Sequence, residues 1–147
     1  MNEQISTISS PAPSNSDLPA LPRLVLRLGF AGNRNLEDSE CKRLETSLCQ
    51  IFQTLGKQLV WLAPNTAVGN DKKPSISKFF TNEPPLLRLV TGLCEGADAV
   101  AGQVLEKIID PDLETELAAV LPFDAETYRQ SRRQDFHAEF DKATCPL

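Results

Sequence analysis

Thr91-Gly92-Leu93-Cys94-Glu95-Gly96-Ala97-Asp98 follows the apolar run Leu86-Leu87-Arg88-Leu89-Val90. It opens a helical pattern in which Val100, Ala101, Val104, Leu105 and Ile108 share one face. A strand that feeds a glycine-bearing turn and then a helix is the unit from which α/β proteins build phosphate sites. Glycine lets the backbone come close, and the free N–H groups of the helix start point at the anion. The same arrangement occurs earlier, where Leu24-Val25-Leu26-Arg27-Leu28 runs into Gly29-Phe30-Ala31-Gly32-Asn33-Arg34. Two such turns in one short chain suggest a nucleotide-type ligand held across neighbouring strand ends.

Working outward, the patterns alternate. Leu24 to Phe30 reads as a buried strand. Asn35 or Asp38 then caps a helix carrying Cys41, Leu44, Leu48, Ile51, Phe52 and Leu55 at spacings of three and four, with Gly56 as its stop. Leu59-Val60-Trp61-Leu62 fits either a short strand or more helix. From Pro64 to Pro85 the periodicity is lost, although Ile76, Phe79 and Phe80 suggest a segment that folds back on the body. Leu86 to Thr91 is a strand, and a helix follows from Ala97 to Ile109, broken by Pro111. Leu117 to Leu121 is a third strand, closed by Pro122-Phe123. Asp124 or Glu126 starts a last helix through Tyr128, Arg132, Phe136 and Phe140. The alternation predicts an α/β fold with a mainly parallel sheet, and ligands bind such sheets at the carboxyl ends of the strands. Residues 1–22, rich in Ser, Pro and Asn, read as a flexible leader, and residues 23–147 as one ordered domain.

Bulk properties narrow the function classes. The chain has 147 residues and is 41% hydrophobic, enough for one real core. A net charge of −5 argues against a protein that grips nucleic acid by charge alone, though it leaves room for a local arginine site. The four cysteines, Cys41, Cys49, Cys94 and Cys145, form no Cys-x-x-Cys pair, and His137 is the single histidine, so no metal site is expected. Cys41 and Cys49 lie too far apart along one helix to bridge, and reduced thiols fit a cytoplasmic protein. No apolar stretch approaches membrane-spanning length.

Three separated segments together resemble a known family. Leu28-Gly29-Phe30-Ala31-Gly32-Asn33-Arg34 resembles the Gly-x-Thr-Gly-His-Arg turn of SLOG-type Rossmann-like domains. Val90-Thr91-Gly92-Leu93-Cys94-Glu95-Gly96-Ala97-Asp98 resembles their Ser-Gly-Leu-Ala-x-Gly-Ala-Asp turn. Ala119-Val120-Leu121-Pro122-Phe123-Asp124, with Tyr128 and Asp135-Phe136 beyond, resembles their Val-Leu-Pro-Phe segment. The resemblance spans roughly Arg23 to Phe140. It implies a three-layer Rossmann-like domain, related to DNA-processing protein A and to the lonely-guy phosphoribohydrolases. It also implies a pocket for a nucleotide or nucleotide derivative, in domains thought to sense or process such signals in bacterial defence beside effector modules. Ala31, Asn33, Thr91 and Cys94 depart from the family residues. The Pro-Gly-Gly-x-Gly-Thr-x-x-Glu turn of the phosphoribohydrolases is absent, which weakens the case for their glycosidic chemistry. The chain also ends early for the family, as a minimal or truncated version would.

The candidate site therefore has three walls: Gly29, Gly32, Asn33 and Arg34; Thr91, Gly92, Glu95, Gly96 and Asp98; and Pro122, Phe123 and Tyr128. Arg34 suits bidentate contact with phosphate, or pairs with Glu37 or Asp38. Glu95 and Asp98 are the weak catalytic candidates. Asp98 also fits a ribose contact or a structural cap, and no nucleophile accompanies them. Tyr128, with Arg129, Arg132 and Arg133, suits stacking on a base or closing over phosphates, or forms a charged helix face. No protein cofactor or metal is required, although a ligand can carry its own Mg²⁺. Three functions compete: a sensor that binds a nucleotide and acts on a partner, a nucleotide-processing hydrolase, and a single-stranded-DNA module. An apolar helix face left uncovered in so short a chain would also encourage homo-oligomers.

Overall fold

The computed structural model describes residues 19–64 and 78–131. Three strands, β1 (Val25–Phe30), β2 (Leu86–Thr91) and β3 (Glu114–Ala119), pair in parallel in that order. Helix α1 (Asp38–Leu62) connects the first pair and α2 (Ala97–Glu106) the second. The short α3 (Ala125–Gln130) follows β3. This is the α/β arrangement expected, with strands and helices alternating.

Parallel register fixes the two faces of the sheet, because paired residues share a face and neighbours along a strand alternate. Leu26, Leu87 and Leu28, Leu89, Leu117 fall on one face with Phe30, Thr91 and Ala119. That face meets the helices. Leu48, Phe52 and Leu59 of α1 and Ala101, Val104 and Leu105 of α2 join Leu87, Leu89 and Leu117 in the core. Helices α1 and α2 also pack along each other, so both crossovers lie on the same side. Burying each large apolar side chain contributes about 1.5–3 kcal/mol, and this layer carries most of the driving force.

Several boundaries differ from the sequence reading, each for a local reason. Helix α1 starts at Asp38 behind Glu37, whose N–H donates to Glu40 Oε2 at 2.9 Å, so neither Asn35 nor Asp38 is the cap. Nor does Gly56 stop it. The helix runs six residues further, because Leu59 keeps the spacing that carries Leu48 and Phe52 into the core. Gly56 serves packing instead, since a Cβ there would lie 2.7 Å from Leu113 Cδ2. Leu59 to Leu62 is thereby helix. Helix α2 ends at Glu106, short of Ile109, which is 92% exposed. Strand β3 begins at Glu114 and leaves Val120 and Leu121 outside, since its register with β2 ends at Thr91↔Ala119. Phe79 is exposed and does not fold back onto the body. Ile76, Arg132, Arg133, Phe136, His137, Phe140 and Cys145 lie outside the described residues.

Helix α3 begins at Asp124, whose Oδ1 accepts the Thr127 N–H at 2.9 Å. That hydrogen bond holds the Asp124 carboxyl below its ordinary value of 3.8. A depressed folded-state pKa gives stability that is present above the unfolded value and is lost as pH falls through the folded one. The difference in urea midpoint between wild type and Asp124→Ala is therefore expected at neutral pH and should vanish in acid below 3.8. A difference that persists unchanged into strong acid would rule out the carboxylate as its source.

Candidate functional site

The two glycine turns meet at the carboxyl end of the sheet and interlock. Gly96 has φ +84° and ψ −127°, a conformation that side chains with a Cβ rarely adopt. A Cβ there would lie 2.3 Å from the Arg34 carbonyl oxygen and 2.6 Å from that of Asn33. A Cβ on Gly32 would in turn lie 2.3 Å from the Ala97 Cβ. The Ala97 N–H donates to the Asn33 carbonyl at 2.9 Å, which closes the contact. Both glycines are thus required by one turn resting on the other, before any ligand is considered.

Asp98 ties the turns together from beneath. It is only 4% exposed, and its two oxygens accept different backbone amides: Gly32 N–H at 3.0 Å and Cys94 N–H at 3.3 Å. A buried carboxylate is tolerable when its oxygens are bonded in this way. Two amides of the turns are consequently satisfied by the chain's own anion. Thr91, also buried, accepts the Leu93 N–H on Oγ1 at 3.2 Å.

Leu93 carries the second backbone irregularity, with φ +50°. For a residue with a Cβ the left-handed region costs about 1–2 kcal/mol. Full burial of the Leu93 side chain offsets this by a similar amount. Tyr128 holds the turn from α3. Its hydroxyl donates to the Gly92 carbonyl at 2.8 Å and lies 3.4 Å from Cys94 Sγ. At 1% exposure the Tyr128 ring belongs to the core, so a stacking role passes to Phe123. That ring is 48% exposed, with its centroid 5.6 Å from that of Tyr128.

The rim of the site consists of Arg34, Cys94, Glu95, Pro122 and Phe123. Arg34 is exposed and its guanidinium donates to Cys94 Sγ at 3.6 Å, with no ion pair to Glu37 or Asp38 among the described residues. Asn33 is exposed, and its Oδ1 accepts the Asn35 N–H at 3.2 Å. Glu95 is half-buried beside Gly96. Among the described residues, the N–H groups of Glu95 and Gly96 have no acceptor. The first-turn amides of α2 at Asp98 and Ala99 likewise lie ahead of the helical ladder. Gly29 stands apart from this group. It lies within β1, in register with Val90, on the face away from α1 and α2.

Sequence reading passed over Cys94 and Leu93. Their only signal was position, inside a turn whose flanking residues were all assigned roles. Clefts of about 230 Å³ (Cys41, Lys42, Val100), 280 Å³ (Gly56, Lys57, Lys107, Asp110) and 440 Å³ (Leu105, Thr115, Leu117) lie away from the turns. The second of these is at the opposite end of the sheet. Among the described residues, no group of three His, Cys, Asp or Glu side chains could hold a metal ion, and no helix is long and apolar enough to cross a membrane. Comparison with protein-family models, with curated proteins and with solved structures finds no match.

Proposed function

We propose that the carboxyl end of this sheet binds a nucleotide or nucleotide-derived small molecule, and that the chain is a binding or sensing module. The observation that supports this best is the rim of the interlocked turns. An exposed guanidinium, Arg34, lies beside two backbone amides, those of Glu95 and Gly96, that find no acceptor among the described residues. Guanidinium and outward amides at a helix start are complementary to phosphate oxygens. Pro122 and the exposed ring of Phe123 add an apolar side for a base. The resemblance to SLOG domains points the same way and adds a setting, signalling or defence beside an effector.

Binding is favoured over turnover by the state of Asp98. A general acid or base must present a free oxygen to the reacting atom, whereas both oxygens of Asp98 are engaged by backbone amides. Glu95 then stands without a second catalytic group beside it among the described residues.

The test is thermal stability against ATP, AMP, ADP-ribose, NAD and cyclic nucleotides. At a hundredfold excess over Kd, a ligand that binds only the folded state adds about 2.7 kcal/mol. For a domain of this size that raises Tm by roughly 6–15 °C. The rise should disappear in Arg34→Ala, which leaves the fold intact because the side chain is exposed. No rise with any nucleotide, or a rise undiminished in Arg34→Ala, overturns the reading. Product formed from the same mixtures would instead favour the hydrolase.

A further inference from the structure

The second face of the sheet carries an inference that does not depend on the ligand site. Val25, Arg27 and Gly29 of β1, Leu86, Arg88 and Val90 of β2, and Glu114, Glu116 and Ala118 of β3 share this face by register. Neither α1 nor α2 reaches it. Parallel sheets are ordinarily covered on both faces, because crossovers place apolar residues on each. Here Arg27 and Gly29 are exposed, while Val25, Arg88, Val90 and Glu116 are half-buried. A Cβ built on Gly29 meets nothing within 4 Å, so the space above it is open. Leu86 is buried beneath the side chain of Arg23, which crosses β2 to reach Glu114 at 2.7 Å. Ala118 is buried as well.

Charge is arranged across this face in one row. Arg27, Arg88 and Glu116 are in direct register. Arg88 is paired with Glu116 through Nε at 2.8 Å and Nη2 at 2.7 Å. Arg27 makes no ion pair among the described residues, although it stands beside a like charge.

We propose that this face is a self-association surface, on which a second copy of the chain stacks about a two-fold axis parallel to the strands. Such an axis, placed over β2, leaves position along the strand unchanged and exchanges left for right. Strand β1 of one copy then lies over β3 of the other. Every row meets itself reversed, so Arg27 faces Glu116 of the second copy, and the unmatched cation acquires a carboxylate on both sides of the interface. Gly29 falls over Ala118, small on small, which lets the sheets approach. Val90 and Leu86 stack on their own counterparts. An aligned packing of sheets tolerates the usual twist of about 30° between them, because the charged row is near mid-strand. Six-residue strands three abreast give a patch of roughly 20 by 14 Å. That is small against the ~800 Å² per partner of a stable complex, so the dimer is weak and concentration-dependent.

Sedimentation equilibrium of the full chain, carried to high protein concentration at low salt, tests this. The wild type should show a monomer–dimer equilibrium that weakens as salt is added. Arg27→Glu, at an exposed position without an ion pair, should fold normally and weaken the dimer by about tenfold or more, since two attractive contacts become repulsive. Combining it with Glu116→Arg restores the opposite charges in exchanged positions and should recover most of the lost affinity, whereas Glu116→Arg alone does not. Monomer at every concentration overturns the proposal, and leaves the face to residues 132–147 or to a different protein. A dimer of undiminished strength in Arg27→Glu, or a double variant no tighter than Arg27→Glu alone, overturns it equally.

Discussion

Gly96→Ala is expected to lose about 3–5 kcal/mol of stability, the largest effect of any single methyl added to the described residues. Two independent penalties add. The observed φ of +84° lies where a residue with a Cβ is strained by about 1–3 kcal/mol. The new methyl would also sit 2.3 Å from the Arg34 carbonyl oxygen, and that atom is backbone, which cannot rotate aside. Overpacking of this kind costs about 1–3 kcal/mol more. Tm should fall by roughly 10–20 °C, read by calorimetry or circular dichroism. Gly29→Ala is the control, since nothing lies near its Cβ and its φ is not positive. It should change Tm little. If Gly96→Ala melts within a degree or two of wild type, the turns are not interlocked as described.

The second large effect is at Asp98. Replacing it with alanine strips the acceptor from two amides, Gly32 N–H and Cys94 N–H. Each buried donor left unsatisfied costs about 1–3 kcal/mol, and the lost contacts were charge-assisted, so a total near 3–4 kcal/mol is expected. Asparagine discriminates sharply here. Its carbonyl oxygen can accept one amide, but its NH₂ then points a donor at the other. Asp98→Asn should therefore be destabilised almost as much as Asp98→Ala, even though its shape is conserved. Urea unfolding of the two variants measures this. An Asp98→Asn protein as stable as wild type would show that the carboxylate is not the strut between the turns, and would return it to the list of ligand contacts.

How much of this was legible in the chain depends on how far apart the interacting residues stand. Strand β2 could be read to the residue, because Leu86 to Thr91 is apolar, short and closed by glycine. The alternation of strands and helices followed from the same local patterns. Gly56 was misread because a glycine after an apolar stripe is the usual sign of a helix end. Its actual reason, contact with Leu113, lies 57 positions away and leaves no local mark. The site shows the same limit more strongly. The turns themselves were visible, and so was the choice between cap, ribose contact and strut at Asp98. Nothing in the spacing decides whether a glycine makes room for a phosphate or for another turn. That decision needed the bond from Gly32 to Asp98, across 66 residues. Tyr128 was legible as a site residue but not as a buried one, because its aromatic ring suits a base platform and a core equally well.

The interlock of the two turns also has a consequence for folding order. Neither turn holds its shape through its own sequence neighbourhood. Each supplies the surface against which the other is set, and the intervening chain must close on itself before either contact exists. Closing a loop of that length loses entropy that only the finished contacts return. The rim of Arg34, Glu95 and Gly96 is therefore assembled all at once, late, and together with the sheet. A fragment carrying either turn alone offers no partial affinity, and whatever occupies the rim reports on the integrity of the whole domain.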